Sequence, residues 1–251
     1  MSARRDVVAT RSWVADGTRL VQQSLEALDE GGLSAPSLLP GWSRAHVVAH
    51  LARNAEALTR LATWARTGVP TPMYAGPEQR DADIETSARR PAPELRHDVA
   101  ATAADLEQAL DALDDTGWQA RVSVRQGQEI QALLLPWLRT REVWLHAVDL
   151  DVGADLAAAP QPLLDELADD IGTQLSKDPA CPAVELRPTD RSPGTTWQIG
   201  GEGRRDGDHD IDGGALSVQG RTSDLVLWLA GRSDGTPLRG SGPLPTLPDW
   251  L

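Results

Sequence analysis

The chain has 251 residues, enough for one large or two modest domains, and its 24 Lys and Arg against 37 Asp and Glu give a net charge of −13. The acid is spread along the chain, which argues against nucleic acid and against an anionic membrane surface as partners. A single cysteine, Cys181, excludes an intrachain disulfide and any cysteine-rich zinc site.

Taken in order, residues 5–30 place apolar side chains at helical spacing (Val8, Trp13, Val14, Leu20, Val21, Leu25, Leu28), and Gly31-Gly32 is expected to end this first helix. After a Pro- and Ser-rich loop, Ser43 is the expected N-cap of a second helix reaching about Thr67, where Gly68 and Pro70 stop it. Residues 68–80 hold enough Pro and Gly to read as a loop, one that carries the only tyrosine, Tyr74, and then Arg80. A third helix is predicted over 92–114, and a fourth over 132–149 with Pro136 in its first turn.

Four such helices make an up-and-down type of bundle over residues 1–152, a fold whose core often hosts metal ligands from facing helices. From 160 to 251 the texture changes to a small α+β domain. It has a helix near 162–176, strand-like runs at 183–187, 196–199 and 215–219, a helix over 223–230 and an irregular Pro-rich tail from 237. No apolar stretch approaches the roughly 20 residues of a membrane span, and no apolar signal region opens the chain. A soluble, cytoplasmic protein is therefore expected. A monomer is compatible with the sequence, which leaves the oligomeric state open.

The chemistry gathers in the fourth helix. Glu142 and His146 stand four apart and so share one helical face, among Val143, Leu145 and Val148. A carboxylate and an imidazole there need a third donor, and His50 sits in a similarly apolar stretch of the second helix. Two imidazoles and a carboxylate with an open position are the donor set of a catalytic zinc site. The competing reading is a solvated charge cluster in which Arg139 and Arg141 pair with Glu142. His46 is a second imidazole four residues before His50, ranked as support rather than ligand. The residue after it is Val47, which excludes the protease pattern with Glu in that place. Asp149 either orients His146 or ends the helix in solvent. Cys181, between prolines, reads as a bystander thiol, and His97 and His209 sit in ordinary polar contexts.

The stretches Leu39-Pro-Gly-Trp-Ser-Arg-Ala-His-Val-Val-Ala-His50, Thr71-Pro-Met-Tyr through Arg80, Arg141-Glu142-Val-Trp-Leu-His146-Ala-Val-Asp-Leu and Leu229-Ala-Gly-Arg232 resemble the mycothiol-dependent maleylpyruvate isomerases, within the wider DinB-like thiol-dependent superfamily. The resemblance runs nearly end to end, with little to align between 178 and 215. It implies a DinB-like four-helix bundle holding Zn²⁺ through His50, Glu142 and His146, with Arg80 and Arg232 at the positions of the family's functional arginines. It also implies mycothiol as thiol cofactor and maleylpyruvate as small anionic substrate, isomerised to fumarylpyruvate in gentisate catabolism; thiolate addition, bond rotation and thiol release is the route expected on chemical grounds. Two other functions stay open at this stage: a mycothiol S-transferase that conjugates electrophiles, and a non-catalytic zinc-binding regulatory module.

Overall fold

The computed structural model describes residues 2–201 and 216–250; His209 lies outside them. The chain divides into two compact units, Met1–Ala154 and Asp155–Leu251.

The first unit is helical. Its elements are α1 (Val7–Glu26), α2 (Glu30–Ser34), α3 (Arg44–Thr67), α4 (Pro77–Ala88), α5 (Ala92–Asp111), α6 (Asp115–Gln119), the hairpin β1 (Arg121–Ser123) with β2 (Glu129–Gln131), and α7 (Leu135–Asp149). The four long helices α1, α3, α5 and α7 pack as a bundle with α3 at its centre. Asp6 caps α1 by accepting from the N–H groups of Val8 and Ala9. Ser43 caps α3, and Gly68, at φ 71°, ends it in the left-handed conformation that glycine adopts without strain. Leu51, Leu58 and Leu61 of α3 have no exposed surface. Each such leucine contributes roughly 2 kcal/mol by leaving water, so packing on both sides holds α3 more than local propensity does. Helix α1 lies hard against α7. A Cβ on Gly17 would sit 2.5 Å from Val143 Cγ2 and 2.8 Å from the Trp144 indole, so only glycine permits that approach.

Two expectations need correction here. Residues 77–80 are not loop: α4 starts at Pro77, where the missing N–H costs least, and carries Arg80 in its first turns. Only Ile84 and Ser87 of α4 are buried, so no apolar period announces the helix. Gly31 and Gly32 do not simply end the first helix either; they lie inside α2, whose cap Asp29 accepts from the Gly32 N–H.

The second unit has a four-stranded sheet in the order β4-β3-β5-β6, built from β3 (Val184–Pro188), β4 (Trp197–Ile199), β5 (Leu216–Gly220) and β6 (Arg239–Gly240). Strands β3 and β5 run parallel with Leu186 opposite Val218; the other pairings are antiparallel. Helices α8 (Gln161–Leu175) and α9 (Thr222–Leu229) pack on the sheet, where Val184, Leu186, Ile199 and Val218 are buried. The tail expected to be irregular supplies the edge strand β6, seated by the Ser241 N–H on the Ser217 carbonyl at 2.8 Å. Among the described residues no helix is long and apolar enough to cross a membrane.

Candidate metal centre

Helix α3 presents His50, and α7 presents Glu142 and His146, from facing positions in the first unit. Both histidines are buried. One carboxylate oxygen serves both rings: Glu142 Oε2 lies 2.8 Å from His50 Nε2 and 3.2 Å from His146 Nε2. The two imidazoles meet edge to face, with centroids 4.7 Å apart and planes at 82°. One nitrogen from each ring and a carboxylate oxygen lie within 4.8 Å of one another, a cluster that can hold a metal ion.

The surroundings orient each group. His146 Nδ1 lies 2.7 Å from Asp149 Oδ2, and Asp149 has no exposed surface, so the reading of that residue as a solvated helix end is set aside. A carboxylate behind an imidazole fixes the tautomer and leaves Nε2 as the atom facing the centre. From α4, Arg80 Nη2 stands 3.3 Å from His50 Nδ1. A guanidinium only donates, so Nδ1 accepts and the ring proton sits on Nε2, towards Glu142.

Burial alone would raise the Glu142 pKa, but hydrogen bonds from His146 and His50 hold it well below the usual carboxylate range. Burial lowers His50 below its ordinary value, more than the hydrogen bond to Glu142 restores. Burial also pulls on His146, yet its bonds to Asp149 and Glu142 outweigh that and its pKa is raised. An ionised carboxylate that accepts from two ring N–H groups is a donor set in which a divalent cation takes the place of the protons. The residues fit zinc, which favours nitrogen and carboxylate oxygen together.

Arg139 does not enter the competing charge cluster with Glu142. Arg139 is 1% exposed and its Nη1 donates to the Leu51 carbonyl at 2.7 Å and to Asn54 Oδ1 at 2.8 Å, tying α7 to α3 beside His50. His46 is a cap and not a ligand: its Nδ1 is 3.2 Å from the Ser43 N–H, and its Nε2 is 3.0 Å from Glu85 Oε2 on α4. Trp42, which no spacing argument singles out, lies with its ring 5.6 Å from that of His50.

Residues 14–151 match the family model described as "Mycothiol maleylpyruvate isomerase N-terminal domain", and residues 158–249 match the "MDMPI C-terminal domain". The chain belongs to the mycothiol maleylpyruvate isomerase family. Two solved structures of this family resemble it over 100% of both chains, at 30% sequence identity and a TM-score of 0.89. One is described as the mycothiol-dependent maleylpyruvate isomerase, the other as a histidine-to-alanine mutant of it. No curated protein matches the chain.

In this family member the remaining candidates fall in both units. Tyr74 is half-buried before α4; burial raises its pKa against the opposing pull of Arg80, so the phenol stays protonated at neutral pH. Arg232 follows Gly231, at φ 71°, just past α9; its Nη1 lies 2.5 Å from the Ala230 carbonyl, and its guanidinium sits 5.9 Å over the Trp250 ring. Cys181 is buried, and burial with Asp178 pushes its thiol pKa up, which is no environment for a nucleophile.

Proposed function

We propose that this chain is a mycothiol-dependent cis-trans isomerase converting maleylpyruvate to fumarylpyruvate. The observation that carries the reading is the end-to-end likeness to the mycothiol-dependent maleylpyruvate isomerase, at 30% identity, in a chain that brings His50, Glu142 and His146 together.

His50, Glu142 and His146 are proposed to hold the metal, with Asp149 locking the His146 ring. Zinc bound there supplies a positive centre that lowers the pKa of a thiol or polarises a carbonyl. The double bond must become single before it can rotate. Addition of a thiolate sulfur to one alkene carbon does this, sending the π electron pair into the adjacent carbonyl as an enolate. Expulsion of the same thiolate restores the double bond as trans, with no net proton or thiol consumed. Two carboxylates and a transient enolate need fixed donors in a chain of net charge −13. Arg80, whose side chain is 16% exposed and whose Nη2 already faces His50, has the forked donors for one of them. Arg232, matched to the family's functional arginine by the resemblance alone, is proposed as a second such donor. The low exposure around His50 and Glu142 strengthens each of these interactions by excluding water. A cytoplasmic location follows from this reading, since a free thiol cofactor persists in a reducing compartment.

The test is conversion of maleylpyruvate by purified zinc-loaded protein with catalytic mycothiol, following product geometry and free thiol together. Fumarylpyruvate formed with thiol undiminished supports the isomerase. Thiol lost to added electrophiles, with no isomerisation, would instead make the protein an S-transferase.

A further inference from the structure

Helices α1 and α5 run antiparallel and are strapped together at both ends. Near one end Arg11 Nη2 lies 2.5 Å from Asp111 Oδ1; near the other, Arg96 donates to the Leu25 carbonyl at 3.3 Å and to the Leu28 carbonyl. Between the straps lie the small side chains of Ala15 on α1 and Ala100, Ala103 and Ala104 on α5, with the longer Arg19 and Gln22 of α1 and Glu107 of α5 also in the lining. A cleft of about 280 Å³ opens there, with Val14 and Thr18 in its walls. Ligand pockets start at roughly 300 Å³, so this one suits a molecule of about one ring.

Arg139 lines the cleft from α7 and, with Leu106 and Leu110 of α5, is one of its buried residues. Its Nη1 is engaged only by neutral acceptors, the Leu51 carbonyl and the Asn54 amide. Its Nε meets no hydrogen-bond partner, and among the described residues no carboxylate forms an ion pair with it. Burial draws its pKa down to about 10, an effect that the charge of Glu142 only partly offsets. A buried cation without a contacting counter-ion is costly, and the bonds it makes to α3 would be served as well by a neutral donor. The arrangement has the two parts of an acid-binding site: an apolar wall of alanines and an undercompensated guanidinium beneath it.

We propose that the α1/α5 cleft binds a small carboxylate with an apolar body, its carboxylate directed at Arg139 and its body lying on the alanines of α5. None of His50, Glu142 and His146 lines this cleft. It is a second site of the bundle, independent of the reading given above for the metal centre.

The probe is benzoate, with benzamide as its neutral counterpart, titrated into the zinc-loaded full chain by calorimetry. Saturable benzoate binding is expected, with benzamide at least about tenfold weaker, the margin set by a charge-assisted hydrogen bond. Ala103→Leu fills the cleft and should weaken benzoate at least about tenfold, with zinc content unchanged; Ala104→Leu, at an exposed position, serves if Ala103→Leu fails to fold. Arg139→Met should abolish the preference for benzoate over benzamide. Absence of saturable benzoate binding, equal affinity for benzamide, or binding untouched by filling the cleft would each overturn the proposal.

Discussion

Glu142 Oε2 is the atom on which the centre converges, since both imidazoles point at it. His50→Ala, Glu142→Ala and His146→Ala are each expected to lose bound zinc by elemental analysis; full occupancy in any of them removes that residue from the ligand set. Asp149→Asn preserves size and removes the charge behind His146. Zinc affinity should fall about 10- to 100-fold, as it does when a ligand's supporting carboxylate is removed, with the fold retained by circular dichroism. Unchanged affinity would mean that Asp149 only ends the helix. At this scale the sequence was informative where chemistry follows from helical spacing. Glu142 and His146 share a face because they are four apart, and His50 stood in an apolar stretch of another helix. Burial was the missing quantity. It separates an Asp149 that grips His146 from one facing solvent, and an Arg139 turned inward from one that pairs with Glu142. Trp42 was missed because a loop tryptophan next to a cap carries no spacing to read.

Two glycine- and cap-dependent junctions hold the elements in place. Gly17→Ala forces a methyl against Val143 and Trp144 and should destabilise the helical unit by about 1–3 kcal/mol, read as a lower denaturation midpoint. A neutral result would mean that α1 can move off α7 at no cost. In the second unit, Asp190 Oδ1 accepts from the Thr222 N–H at 3.0 Å and from the Thr222 hydroxyl at 2.7 Å, tying down the start of α9. Asp190→Ala should cost about 1 kcal/mol, the usual worth of such a cap. Burial pushes the Asp190 pKa up, but the bonds from Thr222 more than compensate, and its pKa is lowered. The sign follows: this contribution is present above the unfolded carboxylate pKa and lost as pH falls through the lower folded value. Wild type and Asp190→Ala should therefore converge in stability in acid; a gap that persists there would place the effect elsewhere. The long helices were readable from their apolar period and their caps at Ser43 and Gly68. Helix α4 was not, because a helix that buries only Ile84 and Ser87 leaves no stripe, and its opening Pro and Gly mimic a loop.

At the scale of the whole molecule, a net charge of −13 repels a dianionic substrate, so recognition must be local, the role proposed above for Arg80 and Arg232. The contrast between a helical first unit and a second unit of short strands was visible in composition alone. The edge strand β6 was not, because Arg239-Gly240 is two residues in a Pro-rich tail and becomes a strand only by pairing with β5. Cysteine usage also pointed outward at this scale. With Cys181 buried and its thiol pKa raised, any thiol chemistry needs a thiol from elsewhere.

The account stands most directly on one titration: chelator-treated protein, supplied with mycothiol and maleylpyruvate, is assayed for fumarylpyruvate as zinc is added back. Turnover should start near zero, climb in proportion to zinc and level off at one ion per chain. Isomerisation that survives chelation undiminished, or that never appears at any zinc level, would contradict it.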